Sequence, residues 1–113
     1  MKLCEVKNIL NAEVYTDESC LESEVLSACG SDLMSDVLAF VKDQALLLTG
    51  LVNAQVVRTA EMMDMKAIVF VRGKKPTDEM IELANDAKIA ILGTEYPMYL
   101  ACGKIYAGGL YNK

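Results

Sequence analysis

A chain of 113 residues, 53% of them hydrophobic and 24% charged, has material for one folded domain and too little for two. Its formal net charge of −5 speaks against a nucleic-acid backbone or an anionic membrane surface as partner, because both select for excess Lys and Arg. No apolar run approaches the ~20 residues of a membrane span.

The first half is the less regular. Leu3, Val6, Ile9 and Leu10 recur at helical spacing and predict a helix over 2–10. A short strand is expected over 12–15. The acidic, polar stretch 16–23 reads as a loop, and 24–28 as a second strand broken by Gly30. Ser31 is then a candidate N-cap with Asp32 in the first helical turn. Leu33, Met34, Val37, Leu38 and Val41 predict the amphipathic helix that follows.

From about residue 45 the pattern becomes βαβαβα. Ala45–Thr49 is a short apolar run closed by Gly50, as expected of a buried strand. A helix over 53–65 puts Val56, Val57, Ala60 and Met63 on one face. A strand over 67–71 ends at Arg72-Gly73. Pro76 and Thr77 introduce a helix at Asp78–Ala87, with Met80, Leu83, Ala84 and Ala87 inward. A strand over 89–92 ends at Gly93-Thr94, and a last helix over 95–106 stops at Gly108-Gly109. Strands alternating with helices imply parallel pairing. The expected fold is α/β, a small, open, mostly parallel sheet flanked by helices, in a single domain spanning 1–113.

The residue inventory excludes several kinds of chemistry. With no histidine, Ser-His-Asp and Cys-His arrangements and a histidine general base are absent from the chain. Gly103-Lys104 is followed by Ile105 instead of Ser or Thr, and Met98 stands where a phosphate loop has its first glycine. Cys4, Cys20, Cys29 and Cys102 are scattered, with no C-x-x-C pair. They read as reduced thiols of a cytoplasmic protein, without a disulfide framework or zinc site. Met1-Lys2-Leu3-Cys4-Glu5 brings in charge too early for a signal peptide. No spacing demands catalysis by Lys74, Glu95 and Tyr96, and neither an enzyme nor a bound cofactor is expected.

In an open parallel sheet, ligands bind beyond the carboxyl ends of the strands. The expected ligand-binding residues there are Thr49, Gly50, Asn53, Arg72, Gly73 and Thr94. Two of the expected helices start with acids, Asp78-Glu79 and Glu95, which already occupy the position an anion would take. The start at Asn53-Ala54-Gln55-Val56 has none and is expected to be the one left free for an external anion. Arg72, Lys74 and Lys75 form a basic group on the next strand end.

Three stretches, Leu47-Leu48-Thr49-Gly50-Leu51-Val52-Asn53, Lys66-Ala67-Ile68-Val69-Phe70-Val71-Arg72-Gly73 and Ile91-Leu92-Gly93-Thr94-Glu95-Tyr96, resemble the DRTGG domain, as does Glu82-Leu83-Ala84 after Pro76. The likeness spans most of the chain. Many members carry an acid and an Arg after the first glycine, where this chain has Gly50-Leu51-Val52-Asn53. The resemblance implies a regulatory or dimerising module of the kind that accompanies nucleotide-binding domains in some pyrophosphatases. It also implies redox or histidine-kinase-like partners for short members. Two readings follow: a dimerising regulatory module for a small anionic ligand such as a nucleotide, or a protein-interaction subunit with no small-molecule ligand. The surplus of methionines in so short a chain suggests a homodimer in either case.

Overall fold

The computed structural model describes residues 1–111. Its elements in chain order are α1 (Leu3–Leu10), β1 (Glu13–Val14), a 3-10 turn (Glu18–Glu22), β2 (Ser27–Gly30), α2 (Met34–Phe40), β3 (Ala45–Thr49), α3 (Ala54–Met62), β4 (Ala67–Phe70), α4 (Asp78–Ala87), β5 (Ala90–Gly93) and α5 (Met98–Ala107). They form one mixed sheet in the order β1-β5-β4-β3-β2. The pairs β2–β3, β3–β4 and β4–β5 are parallel, and the two-residue β1 runs antiparallel along β5. The α/β class and mostly parallel sheet agree with the alternation in the sequence.

Strands β3, β4 and β5 are apolar at nearly every position because both faces of the sheet are covered. Leu46, Leu48, Ala67, Val69, Ala90 and Leu92 point to the side covered by α1 and α5. Ala45, Leu47, Ile68, Phe70 and Ile91 point to the side covered by α2, α3 and α4. The helical apolar stripes match these faces. Leu3, Val6 and Leu10 of α1 are fully buried, as are Val56 and Ala60 of α3 and Met80 and Ala84 of α4. Asn53 and Thr77 cap α3 and α4 by accepting from the Val56 and Met80 amides.

The largest departure from expectation is in β2. The strand lies at 27–30 instead of 24–28, so Gly30 belongs to it and pairs with Leu48. Val25 is drawn out of the strand because it is fully buried and its amide bonds to the Met1 carbonyl. In turn, Ser31 and Asp32 leave the helix. The cap position of α2 is Leu33, without a side-chain cap, and the Ser31 hydroxyl accepts from the Leu33 amide in a local turn. Within the expected loop 16–23, the Asp17 carboxylate accepts from the Ser19 amide and starts the 3-10 turn. The last helix starts at Met98, three residues later than expected, because Pro97 sets its N-terminus.

The two halves of the chain are joined by buried hydrogen bonds rather than by a hinge. The Thr94 hydroxyl donates to the Leu10 carbonyl at 2.7 Å, and the Thr16 hydroxyl accepts from the Ile91 amide at 3.0 Å. Replacing Thr94 by Val keeps the volume and leaves the Leu10 carbonyl without that donor. Thr94→Val is expected to lower the unfolding free energy by about 1–3 kcal/mol, measured by urea denaturation with an unchanged m-value.

Candidate ligand site at the carboxyl edge

Strands β2 to β5 are adjacent in sequence order, so their carboxyl ends share one edge. After β2, β3 and β4 the chain passes to the face of α2, α3 and α4; after β5 it passes to the opposite face, with α5. Neighbouring strands whose helices leave on opposite faces open a crevice between their ends. Here that position falls between β4 and β5. A crevice of about 110 Å³ is found there, lined by Gly73, Lys74, Lys75, Gly93, Thr94 and Glu95, with Asn11, Glu13 and Tyr15 closing one side.

The backbone of the β4–α4 turn is shaped to line this crevice. Arg72 and Gly73 both take left-handed conformations, φ 58° and 68°. That allows the Arg72 amide to bond to the Tyr96 carbonyl and the Gly73 amide to the Thr94 carbonyl, each at 2.9 Å. Gly73 is favoured by its positive φ, and its missing Cβ leaves room for the Glu95 carboxylate to lie against the turn. The Lys74 and Lys75 side chains are exposed and form no ion pair among the described residues. The opposite wall is acidic. Glu13 accepts a hydrogen bond from the Tyr15 hydroxyl at 3.1 Å. Burial, that bond and the charges of Glu13 and Glu95 push the Tyr15 phenol above its ordinary pKa, so it remains a donor.

The second group of expected residues meets on the adjacent strand ends around a carboxylate that the sequence reading had assigned elsewhere. Asp32 Oδ1 accepts from the Gly50 amide at 2.6 Å and from the Thr49 hydroxyl at 3.3 Å. Its Oδ2 pairs with Arg72 Nη2 at 3.2 Å. The Arg72 guanidinium approaches Gly50 through Nη2, in space that a Cβ there would occupy. Asp32 thus ties together the ends of β2, β3 and β4. The Gly50 amide, followed by Arg72 and Thr49, holds its carboxyl below the usual carboxylate range, against a smaller opposing effect of burial.

This arrangement corrects two expectations. The turn after β3 carries no acid of its own, but the chain supplies Asp32 to it from 18 residues upstream of Gly50. Nor is α3 the one helix of this half without an acid in its first turn, because α5, starting at Met98, has none either. Asn53 is accounted for as the cap of α3. Of the six expected residues, Thr49, Gly50 and Arg72 are brought together around Asp32, and Gly73 and Thr94 in the crevice. Asp32, Glu95 and Tyr15 were missed as neighbours of these residues. Once β2 is placed at 27–30, Asp32 follows its last residue by two positions, and that shift was the signal for it.

A larger hollow, about 780 Å³, lies at the other edge, between the 3-10 turn and the end of α4. Its main polar atoms already close the structure there. Asn85 Oδ1 accepts from the Asp17 amide, Asp17 from the Ser19 amide and Thr16 from the Ile91 amide. The carboxyl-edge crevice, with two unpaired lysines, is the better candidate.

No family model matches the chain, and no curated protein matches it. Among solved structures it is similar to the CBS and DRTGG domains of the regulatory region of Clostridium perfringens pyrophosphatase, crystallised with the activator diadenosine tetraphosphate. The TM-score is 0.79 at 18% sequence identity. The match covers 95% of this chain and 46% of the other, so this chain spans less than half the length of that region. The fold is therefore DRTGG-like.

The clasp gives a pH dependence with a definite sign. A carboxylate whose pKa is depressed by folding contributes stability that is complete above its unfolded pKa and is lost as the pH falls through the folded one. The Asp32 side chain is 49% exposed, so its contribution is discounted for solvent screening. Asp32→Ala is expected to cost about 1 kcal/mol near neutrality. Urea titrations across the acid range should show the gap between variant and wild type closing below the carboxylate range.

Proposed function

We propose that the protein is a non-catalytic regulatory module that binds a small anionic ligand, such as a nucleotide, at the carboxyl edge of its sheet. The observation that carries this reading is the crevice between β4 and β5, with Lys74 and Lys75 unpaired on one side and Glu13 and Glu95 on the other. Its size suits one phosphate or carboxylate group, with the rest of the ligand lying over the surface. The two walls suit complementary parts of one molecule. The lysines attract an anion, and the carboxylates accept from hydroxyl or amino groups, as acidic residues at strand ends do from a ribose. A nucleotide carries both kinds of group.

Arg72 and the turn Thr49–Gly50 flank the crevice on the β3 side. The clasp engages only Nη2 of the guanidinium, which remains 43% exposed on its side chain. Its other donors are open to the same ligand. That the similar solved region is regulatory and was crystallised with a dinucleoside polyphosphate supports the choice of ligand class. The absence of histidine supports a role without acid–base catalysis at neutral pH.

Isothermal titration and thermal-shift measurements with ATP, AMP and inorganic phosphate test the reading. The nucleotides are expected to bind and to raise the melting temperature with concentration, as mass action requires. The double variant Lys74→Glu/Lys75→Glu is expected to weaken binding by about tenfold or more, equal to at least ~1.4 kcal/mol, and to leave the melting temperature of the free protein unchanged. Absence of binding by any of the three probes at millimolar concentration would sink the reading, and so would binding that the double variant leaves intact.

A further inference from the structure

The donors at the ends of β3 and β4 form an anion seat that the chain fills from elsewhere. The Gly50 amide, the Thr49 hydroxyl and Arg72 Nη2 converge on one carboxylate, at 2.6, 3.3 and 3.2 Å. A backbone amide, a hydroxyl and a guanidinium around one point are the groups that bind phosphoryl and carboxylate oxygens. The seat is firmly built. Thr49 is fully buried at the end of a buried strand, and its carbonyl accepts from the Val71 amide at 3.0 Å, which ties the ends of β3 and β4 together.

The segment that supplies the occupant is weakly anchored. Asp32 stands between Gly30, the last residue of β2, and Met34, the first of α2. Val37 is the only fully buried residue of α2. Leu38 is 44% exposed and Phe40 70%, and the helix starts without a side-chain cap. Segments with so few buried contacts open locally at small cost in free energy. The Asp32 and Arg72 side chains are themselves half exposed, so a solvent ion can reach the seat.

We propose that this seat is a second anion site, for a phosphoryl or carboxylate group, and that Asp32 is its tethered competitor. A competitor held by a short link acts at an effective concentration in the millimolar range or above. A dilute free anion therefore leaves it in place, and displacement needs an anion that is itself held close by. On the reading proposed above, a ligand bound by Lys74 and Lys75 meets that condition with a second phosphoryl group, because only Gly73 separates Lys74 from Arg72. Such a ligand is a di- or triphosphate and not a monophosphate. When the second group takes the seat, Asp32 is released and α2 loses its tie to the strand ends. Occupancy at the carboxyl edge is thereby transmitted to the helix that carries Leu38 and Phe40.

Thermal-shift titration of the full chain with inorganic phosphate, at an ionic strength held constant with potassium chloride, tests the seat apart from the crevice. The parent protein carries Lys74→Ala/Lys75→Ala, which removes the crevice cations without adding negative charge. Adding Asp32→Ala is expected to raise the phosphate affinity by about tenfold or more, read as stabilisation that grows with concentration. Asp32→Asn, equal in shape and uncharged, should act in the same direction. Adding Arg72→Ala to Asp32→Ala should abolish the gain. Phosphate fills the seat but does not hold α2. The Val37 and Val41 amides, which bond to the Leu33 and Val37 carbonyls, should therefore exchange faster in Asp32→Ala than in its parent, relative to the amides of β4, with or without phosphate. A parent and an Asp32→Ala variant that respond to phosphate alike would overturn the proposal, and so would a gain that survives Arg72→Ala. Equal amide exchange in the two proteins would overturn the release of α2. Failure of the wild type to bind ATP would count against the crevice reading and leave these outcomes as they are.

Discussion

Burial of β3, β4 and β5 on both faces is the constraint from which the other features follow. A strand covered on two sides has to be apolar at successive positions, as in Leu46-Leu47-Leu48 and Ala67-Ile68-Val69-Phe70. It can present polar groups only at its ends. The covering is shared unequally, with three helices on one face and two on the other. The chain therefore has to change faces once after the parallel strands begin, and it does so after β5. That change separates the turns following β4 and β5 and creates the crevice between them. The position of the candidate site is in this sense a consequence of how the core is covered.

The Asp32 clasp shows how the same edge is kept closed one strand further along. Three donors converge at the end of β3: the Gly50 amide, the Thr49 hydroxyl and the Arg72 guanidinium. Such a set is suited to an anion, and the chain fills it with its own carboxylate. Polar groups at the end of a buried strand need partners once water is restricted, and Asp32 supplies them from the neighbouring β2. The lysines of the β4–α4 turn have no such partner among the described residues. The division of labour along this edge is therefore between a structural charge pair at β2–β4 and a crevice at β4–β5 whose charges remain accessible.

Much of this fold was legible in the sequence, and the failures are local. Apolar runs closed by glycine placed β3 and β4 within one residue, and the cap Thr77 with the spacing Met80, Leu83, Ala84 and Ala87 fixed α4. Strand β2 was misplaced by three residues because Val25 and Leu26 look like strand residues. Val25 instead packs under the N-terminus, a contact that no local pattern reveals. That one shift hid Asp32, since a residue in the first turn of a helix and a residue at a strand end have the same local surroundings in sequence. The start of α5 was misread at Glu95 because the acid suggested a helix terminus, whereas Pro97 determines it. The residues of the crevice were legible on the β4 and β5 side, where strand ends are marked by Gly73 and Gly93. Tyr15 and Glu13 were not, because their approach depends on the antiparallel pairing of β1 with β5.

The central claim is that the accessible charges at the ends of β4 and β5 receive the anionic part of a ligand. The most direct test is to follow the backbone amide resonances of the protein as ATP is added. The account predicts the largest shifts at Gly73, Lys74, Lys75, Thr94 and Glu95, with smaller ones at Gly50 and Arg72. Shifts concentrated instead at Thr16, Asp17, Asn85 and Lys88, around the larger hollow at the opposite edge, would contradict it.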